Sequence, residues 1–367
     1  MDPAKKYDLK DAVDIVGDCE DMCPEYERHE REYQNTLLTL EKIPGTEFVD
    51  HARAVKRYKR SAAGDEKPLP CDLRPPRVLQ KTMDYLIHEI IAVHGVEDSH
   101  SFVRDRFRSI RNDLTLQNIR GEEAVKLHEP IARYHILCAH HLCDVSTVNA
   151  AQEVEQLRKT LLSLMEFYDE LNAANIFMPN EAEFRAYHVL AHAYAHAVQI
   201  KFEKSLSPAV LHHPYMQIAL QLRNYLYHGR RPDEGLRADG ARSLHGRLFR
   251  LIAAPTTPYL LACCIHTHFV KIREAAFEAI NASYCCGNQE KDEVHIGYRV
   301  YVRDLAEMLG FNDEDDCIID LQYYGVEVRE LPEGRIAKIG TRVGGKKTFP
   351  LESEYLHSWF VRRIANP

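Results

Sequence analysis

The chain has 367 residues, 45% of them hydrophobic and 28% charged, with a formal net charge of -8. That composition allows a large buried core in roughly two to three structural units, and its acidic balance excludes a uniformly basic surface, so any nucleic-acid contact has to come from local patches. No apolar run approaches the ~18 residues of a membrane span, the N-terminus lacks the apolar core of a signal peptide, and ten cysteines, several in apolar helical stretches (Cys138, Cys263, Cys264, Cys285), fit a reducing cytosolic or nuclear compartment with no membrane contact.

Residues 1–76 read as an N-terminal extension. Pro24 suits a first helical turn, Asp21 is a cap candidate and Ile43-Pro44-Gly45 is a stop, so a helix is predicted over 24–42. It is charged on nearly every side and is expected to lie over another surface. Residues 51–60 then hold Arg53, Lys56, Arg57, Lys59 and Arg60 and no acid, followed by Gly64, Pro68 and Pro70: a basic arm leading into a linker.

Between residues 77 and 290 apolar residues recur at three and four. Leu86, Ile87, Ile90 and Ile91 do so, and Val154, Leu157, Leu161, Leu164, Met165, Tyr168 and Leu171 mark the longest clear helix. Turn signals at Gly95, Gly121, 144–149, 178–180 and 255–258 divide the stretch into eight or more helices of ~10 to 25 residues, an irregular stack of helical hairpins without sequence repeats.

Residues 291–367 change texture. Helices are predicted over 302–309 and 313–323, followed by β-prone segments at 326–329, 335–339 and 348–351 with turns at Pro332-Glu333-Gly334 and Gly344-Gly345. This is the order of a winged helix with a small β-hairpin wing. From 329 to 363 there are eight Lys or Arg against four acids, a local balance of +4. A wing carrying Arg335, Lys338, Arg342, Lys346 and Lys347 suits sequence-tolerant, salt-sensitive phosphate contacts. The acidic NDEDD turn at 312–316 stabilises the dipole of the helix it starts and disfavours DNA on that face.

Chemistry of other kinds finds little support. Cys138, His140, His141 and Cys143 do not converge on one helix face, and Cys19, Cys23 and His29 lack a second CxxC-type pair. His188, His192 and His196 share a face at four-residue steps with no nearby acid. No phosphate-binding glycine loop or nucleophile elbow is present, so no enzyme activity, metal or cofactor is expected. Asp105, Arg106, Arg108, Arg111 and Asp113 are spaced to pair among themselves and hold neighbouring helices in register.

The segment GDCEDMCPEYERHER at 17–31 resembles the opening signature of the SAC-three/GANP family. RPPRVLQKTMDYLIHEI at 74–90, DRFRSIRNDLTLQ at 105–117, HEPIARYHILCAHHLC at 128–143 and NEAEFRAYHVLAH at 180–192 are similar to its further blocks, in order. The resemblance implies a mainly α, PCI-type solenoid ending in a winged helix, and makes Met22-Cys23-Pro24 a structural turn with Met22 and Cys23 as apolar anchors. It also implies a non-enzymatic scaffold of the TREX-two mRNA-export complex, nuclear and associated with the nuclear pore. Its partners would be a second PCI protein of the Thp/PCID type, a small acidic Sem/DSS-type protein, RNA or DNA, and pore components reached through regions outside this chain. The expected nucleic-acid contacts are the five wing cations and the five arm cations. The alternative is a protein-only PCI assembly subunit, of a centrosome- or spindle-associated or lid-like kind.

Overall fold

In a computed structural model the chain is mainly helical and carries a small antiparallel sheet near its C-terminal end. The structure describes residues 15–60, 68–193, 196–226, 241–284 and 298–339. These group into two compact units, one within 1–134 and 162–178, the other within 135–161 and 179–367.

The first unit begins with α1 (Glu25–Tyr33) and a 3-10 turn at Thr39–Glu41. The predicted helix over 24–42 is therefore cut short. Asn35 takes a left-handed φ of 53°, which ends α1 and turns the chain back so that Glu41 reaches the core. Asp21 does not cap α1 but binds Arg28 at 2.7 Å. Next come α2 (Pro76–Tyr85), with Pro at its first position, a π-helical turn over Leu86–Ile91, and α3 (Ala92–Leu116). Gly95, at φ 77°, interrupts α3 where the sequence signalled a break.

The chain passes between the units within α4 (Glu122–His141) and α5 (Ala150–Ala173). Along α5 the predicted stripe holds: Leu157, Leu161, Leu164, Met165, Tyr168 and Leu171 are buried, and Val154 is half-buried.

In the second unit follow α6 (Glu181–Ala191), α7 (His196–Ser205), α8 (Pro208–Leu211), α9 (Pro214–Leu226), α10 (Ala241–Ile252), α11 (Tyr259–His266) and α12 (Phe269–Ser283). Helix α6 packs on α9 and α11, and α10 packs on α12. His268 closes one such contact, its Nε2 lying 2.8 Å from the Leu190 carbonyl, and burial lowers its pKa to about 4.

The unit ends with β1 (Tyr298–Tyr301), α13 (Val302–Met308), α14 (Glu314–Tyr323), β2 (Glu327–Leu331) and β3 (Gly334–Ile339). The strand order is β1-β3-β2, all antiparallel, the topology expected of a winged helix. Strand β1 was not foreseen: it is four residues long and takes its identity from pairing Tyr298 with Ile339. Arg273 of α12 ties the helix ahead of the sheet to α13. Its guanidinium donates to the Leu309 and Gly310 carbonyls at 3.1 and 2.6 Å and lies 3.7 Å from the centre of the Phe311 ring.

Candidate nucleic-acid interface

The basic arm is positioned by the charged core beneath it. Cys23 is fully buried with Leu37, Val49 and Ala54, and Met22 is buried beside it, as anchors should be. Into this apolar setting α1 brings Arg31, which donates to both Glu41 oxygens at 2.8 Å, to the Cys23 sulfur at 3.1 Å and to the Val55 carbonyl at 3.2 Å. Arg106 of α3 reaches the same carboxylate at 2.9 Å, and the Val55 N–H donates to it at 3.1 Å. Burial alone would raise the pKa of Glu41, but Arg106 and Arg31 hold it below the ordinary carboxylate value. The Cys23 thiol is pushed up to about 12 by burial and then by Glu27, against the pull of Arg31, so it stays protonated.

A second buried carboxylate, Asp113, repeats the pattern. It accepts from Arg74 Nε at 2.7 Å and from Lys56 Nζ at 2.6 Å. Arg74 also donates to the Met22 carbonyl at 3.2 Å and to Ser109 at 2.9 Å. Gln117 closes the assembly by donating to the Arg74 and Asp113 carbonyls and accepting the Gly17 N–H at 3.0 Å. A Cβ on Gly17 would collide with the Leu73 carbonyl, which explains the glycine at the head of the signature.

The arm cations divide accordingly. Lys56 is mostly buried, bound to Asp113 and to the Asp72 carbonyl at 2.6 Å, and Arg53 is half-buried beside Tyr85. Arg57, Lys59 and Arg60 are exposed and have no ion pair among the described residues. The arm is held from behind by its backbone: the Lys56 N–H donates to Met22 at 3.0 Å, Arg57 to Glu27 at 2.7 Å and Tyr58 to Asp105 at 3.1 Å.

The charged face of α3 departs from the pairing that its spacing suggested. Asp105 binds Arg106, and Asp113 leaves its own helix for Arg74 and Lys56. Arg108 lies instead over the Tyr58 ring at 4.0 Å, and Arg111 has no carboxylate partner among the described residues. Spacing along one helix missed this because Asp113 satisfies cations 39 and 57 residues away, and Asp105 accepts from Arg106 and from the Tyr58 N–H.

At the sheet, residues 332–333 form the turn of the β2–β3 hairpin, with Leu331 opposite Gly334. Arg335 and Lys338 lie on β3, the central strand. Arg335 meets Asp315 and, at 3.5 Å, Glu330; Lys338 lies 3.8 Å from Glu327. Arg342, Lys346 and Lys347, with the predicted strand at 348–351, lie outside the described residues. The Asp313 side chain accepts the Asp316 N–H at 2.8 Å, so the acidic turn caps α14 as its position suggests. Strand β2 is an edge whose residues are exposed except for half-buried Val328, and Ile319 on α14 and Leu331 are exposed apolar residues nearby in sequence.

The histidine series does not share a helix. Helix α6 ends at Ala191 and α7 starts at His196. His188 stacks on His192 and Phe202 with centroids 4.3 and 4.8 Å apart, and burial lowers its pKa to about 3. Cys138 is buried within α4, and His140 packs edge-on against His266 at 4.7 Å. No helix among the described residues is long and apolar enough to cross a membrane.

Comparison with known proteins finds that the model of the SAC3/GANP family matches residues 22–330. The chain is 42% identical over 341 residues to SAC3 family protein 1 of Schizosaccharomyces pombe, covering 90% of this chain and 32% of that protein. It is 35% identical to Protein xmas of Drosophila melanogaster and 31% identical to SAC3 family protein B of Arabidopsis thaliana, covering 86% and 88% of this chain but 15% and 18% of theirs. The chain thus spans about a third or less of the length of these relatives.

Proposed function

The chain belongs to the SAC3/GANP family, and from that premise we propose that it is a non-enzymatic scaffold of a nuclear mRNA-export complex of the TREX-two type. Its C-terminal winged helix pairs with that of a second PCI protein, a small acidic Sem/DSS-type protein assists, and the joined surfaces contact RNA or DNA through phosphates. Pore components are reached through regions outside this chain. The working division is an extension over 1–76, a helical stack over 77–290 and a winged helix over 291–367.

The observation that carries this reading is the open edge of the small sheet. Strand β2 has no neighbour on its outer side among the described residues; it ends in exposed Leu331 and lies near exposed Ile319 in sequence. Open edges invite pairing with another chain, and an apolar residue beside one adds affinity. A second reading, protein-only assembly, is favoured by one fact: Arg335 and Lys338 already face acids, which weakens them as phosphate contacts.

Co-expression with the second PCI protein, followed by anisotropy of labelled single-stranded RNA at several salt concentrations, separates the two. The scaffold reading expects weak binding alone and firm binding as a complex, with assembly lost on Ile319→Asp/Leu331→Asp and binding weakened by Lys346→Glu/Lys347→Glu. Five phosphate contacts give a salt slope of about -3.5 on a single strand. An intact complex that binds no RNA leaves the protein-only reading in place.

A further inference from the structure

In the first unit, Arg28, Arg31, Arg74 and Arg106 are buried, and each meets a carboxylate at 2.7 to 2.9 Å. Arg111 breaks that rule. Its Nε is buried and, among the described residues, has no hydrogen-bond partner; the charged or titratable groups that face it there are Arg108, Tyr58 and His128, none of them a carboxylate. His128 is itself buried, its Nδ1 lying 2.8 Å from the Ala124 carbonyl and its ring edge-on to Phe167 at 5.1 Å. A half-buried guanidinium beside a second guanidinium is unfavourable unless an anion compensates it. Burial and Arg108 lower its pKa only to about 10, so it remains a cation at neutral pH.

The neighbouring groups extend this into a surface. Arg108 is one helical turn away, half-buried, with its guanidinium 4.0 Å from the centre of the Tyr58 ring, so a cation and an aromatic ring of the kind bases stack on lie together. Tyr58 sits in the arm between exposed Arg57 and Lys59. Two acids beside the arm are engaged: Asp105 with the Tyr58 N–H and Arg106, and Glu27 with the Arg57 N–H and Arg31.

We propose that Arg108 and Arg111, together with Arg57, Lys59 and Arg60, form a phosphate-binding track for single-stranded RNA on the N-terminal unit, separate from the wing. The proposal rests on the reading that this protein handles RNA, and it assigns that task to residues a sequence pattern reads as helix-pairing charges. A single strand is favoured because the track joins a row of cations to a planar stacking group and has no element shaped for a groove.

The test uses the full chain with labelled oligouridylate, titrated from low to moderate salt. Each phosphate contact removed flattens the salt slope by about 0.7, so Arg108→Gln/Arg111→Gln flattens it by about 1.4 and lowers affinity. Its thermal midpoint stays within a few degrees of the wild type, because no ion pair among the described residues is broken and the contact of Arg108 with Tyr58 is offset by relief of the Arg108–Arg111 repulsion. The exposed pair Lys59→Gln/Arg60→Gln, which the fold does not need, gives a similar loss of slope and serves if the first variant misfolds. Wild-type slope and affinity in the folded variants overturn the track. If Lys346→Glu/Lys347→Glu alone weakens binding, the track fails and the wing reading stands; if only the α3 and arm variants weaken it, the track stands and the wing fails. Competition by polyglutamate as effective as by unlabelled RNA overturns the track in favour of an acidic peptide, and no binding by the wild type overturns both.

Discussion

The core around Glu41 and Asp113 and the three-stranded sheet near the C-terminal end both join cations to acids, with opposite physical weight. In the first, Arg31 and Arg106 converge on a carboxylate with no solvent exposure, and Lys56 and Arg74 do the same at Asp113. In the second, Arg335 and Lys338 pair across strands with side chains that water reaches. A buried pair resists the loss of either member because the survivor is stranded in low dielectric; an exposed pair contributes little and exchanges partners readily. The difference is one of weight: the N-terminal pairs hold a fold together, and the sheet pairs add little to it.

The sharpest way to break this comparison is Glu41→Gln. Two guanidiniums lose their shared counter-charge, and a destabilisation of about 3–5 kcal/mol is expected by chemical denaturation. The pH dependence should follow the same residue. Glu41 has a folded pKa below its unfolded value, so its contribution is present above the ordinary carboxylate range and is lost as pH falls through the folded value. Denaturation midpoints from pH 7 to pH 3 should fall in the wild type and fall less steeply in Glu41→Gln.

Gly17→Ala tests the packing that closes this core. The new methyl meets the Leu73 carbonyl, and a loss of about 1–3 kcal/mol should appear as a lower melting temperature. Arg273→Met removes two donors from the end of α13 and should cost about 1–2 kcal/mol in a calorimetric scan. The smallest effect is expected at the sheet: Arg335→Gln/Lys338→Gln should leave the melting temperature unchanged while altering only the salt dependence of binding.

The two helices of the C-terminal region were legible to within a residue, because apolar periodicity and the acidic turn at 312–316 are local signals. The helix predicted at 302–309 is observed as α13, and that at 313–323 as α14. The early end of α1 was not legible, since Glu41 turns back to serve Arg106, 65 residues away. Nor was the division of the arm. Lys56 and Arg57 are adjacent cations in the sequence, yet one is drawn inward by Asp113 and the other faces water. Arg108 and Arg111 were hidden for the converse reason: the acids beside them in sequence bind elsewhere.

Cys23 makes the closed N-terminal core measurable in time. Its thiol is sealed from solvent, held by Arg31 and kept protonated, whereas Cys71 in the same unit is exposed. An alkylating reagent should consume Cys71 at the rate of a free thiol and reach Cys23 only when the Arg31–Glu41 clasp opens. The lag between the two labels, followed by mass spectrometry, is then a clock for local opening of the signature segment.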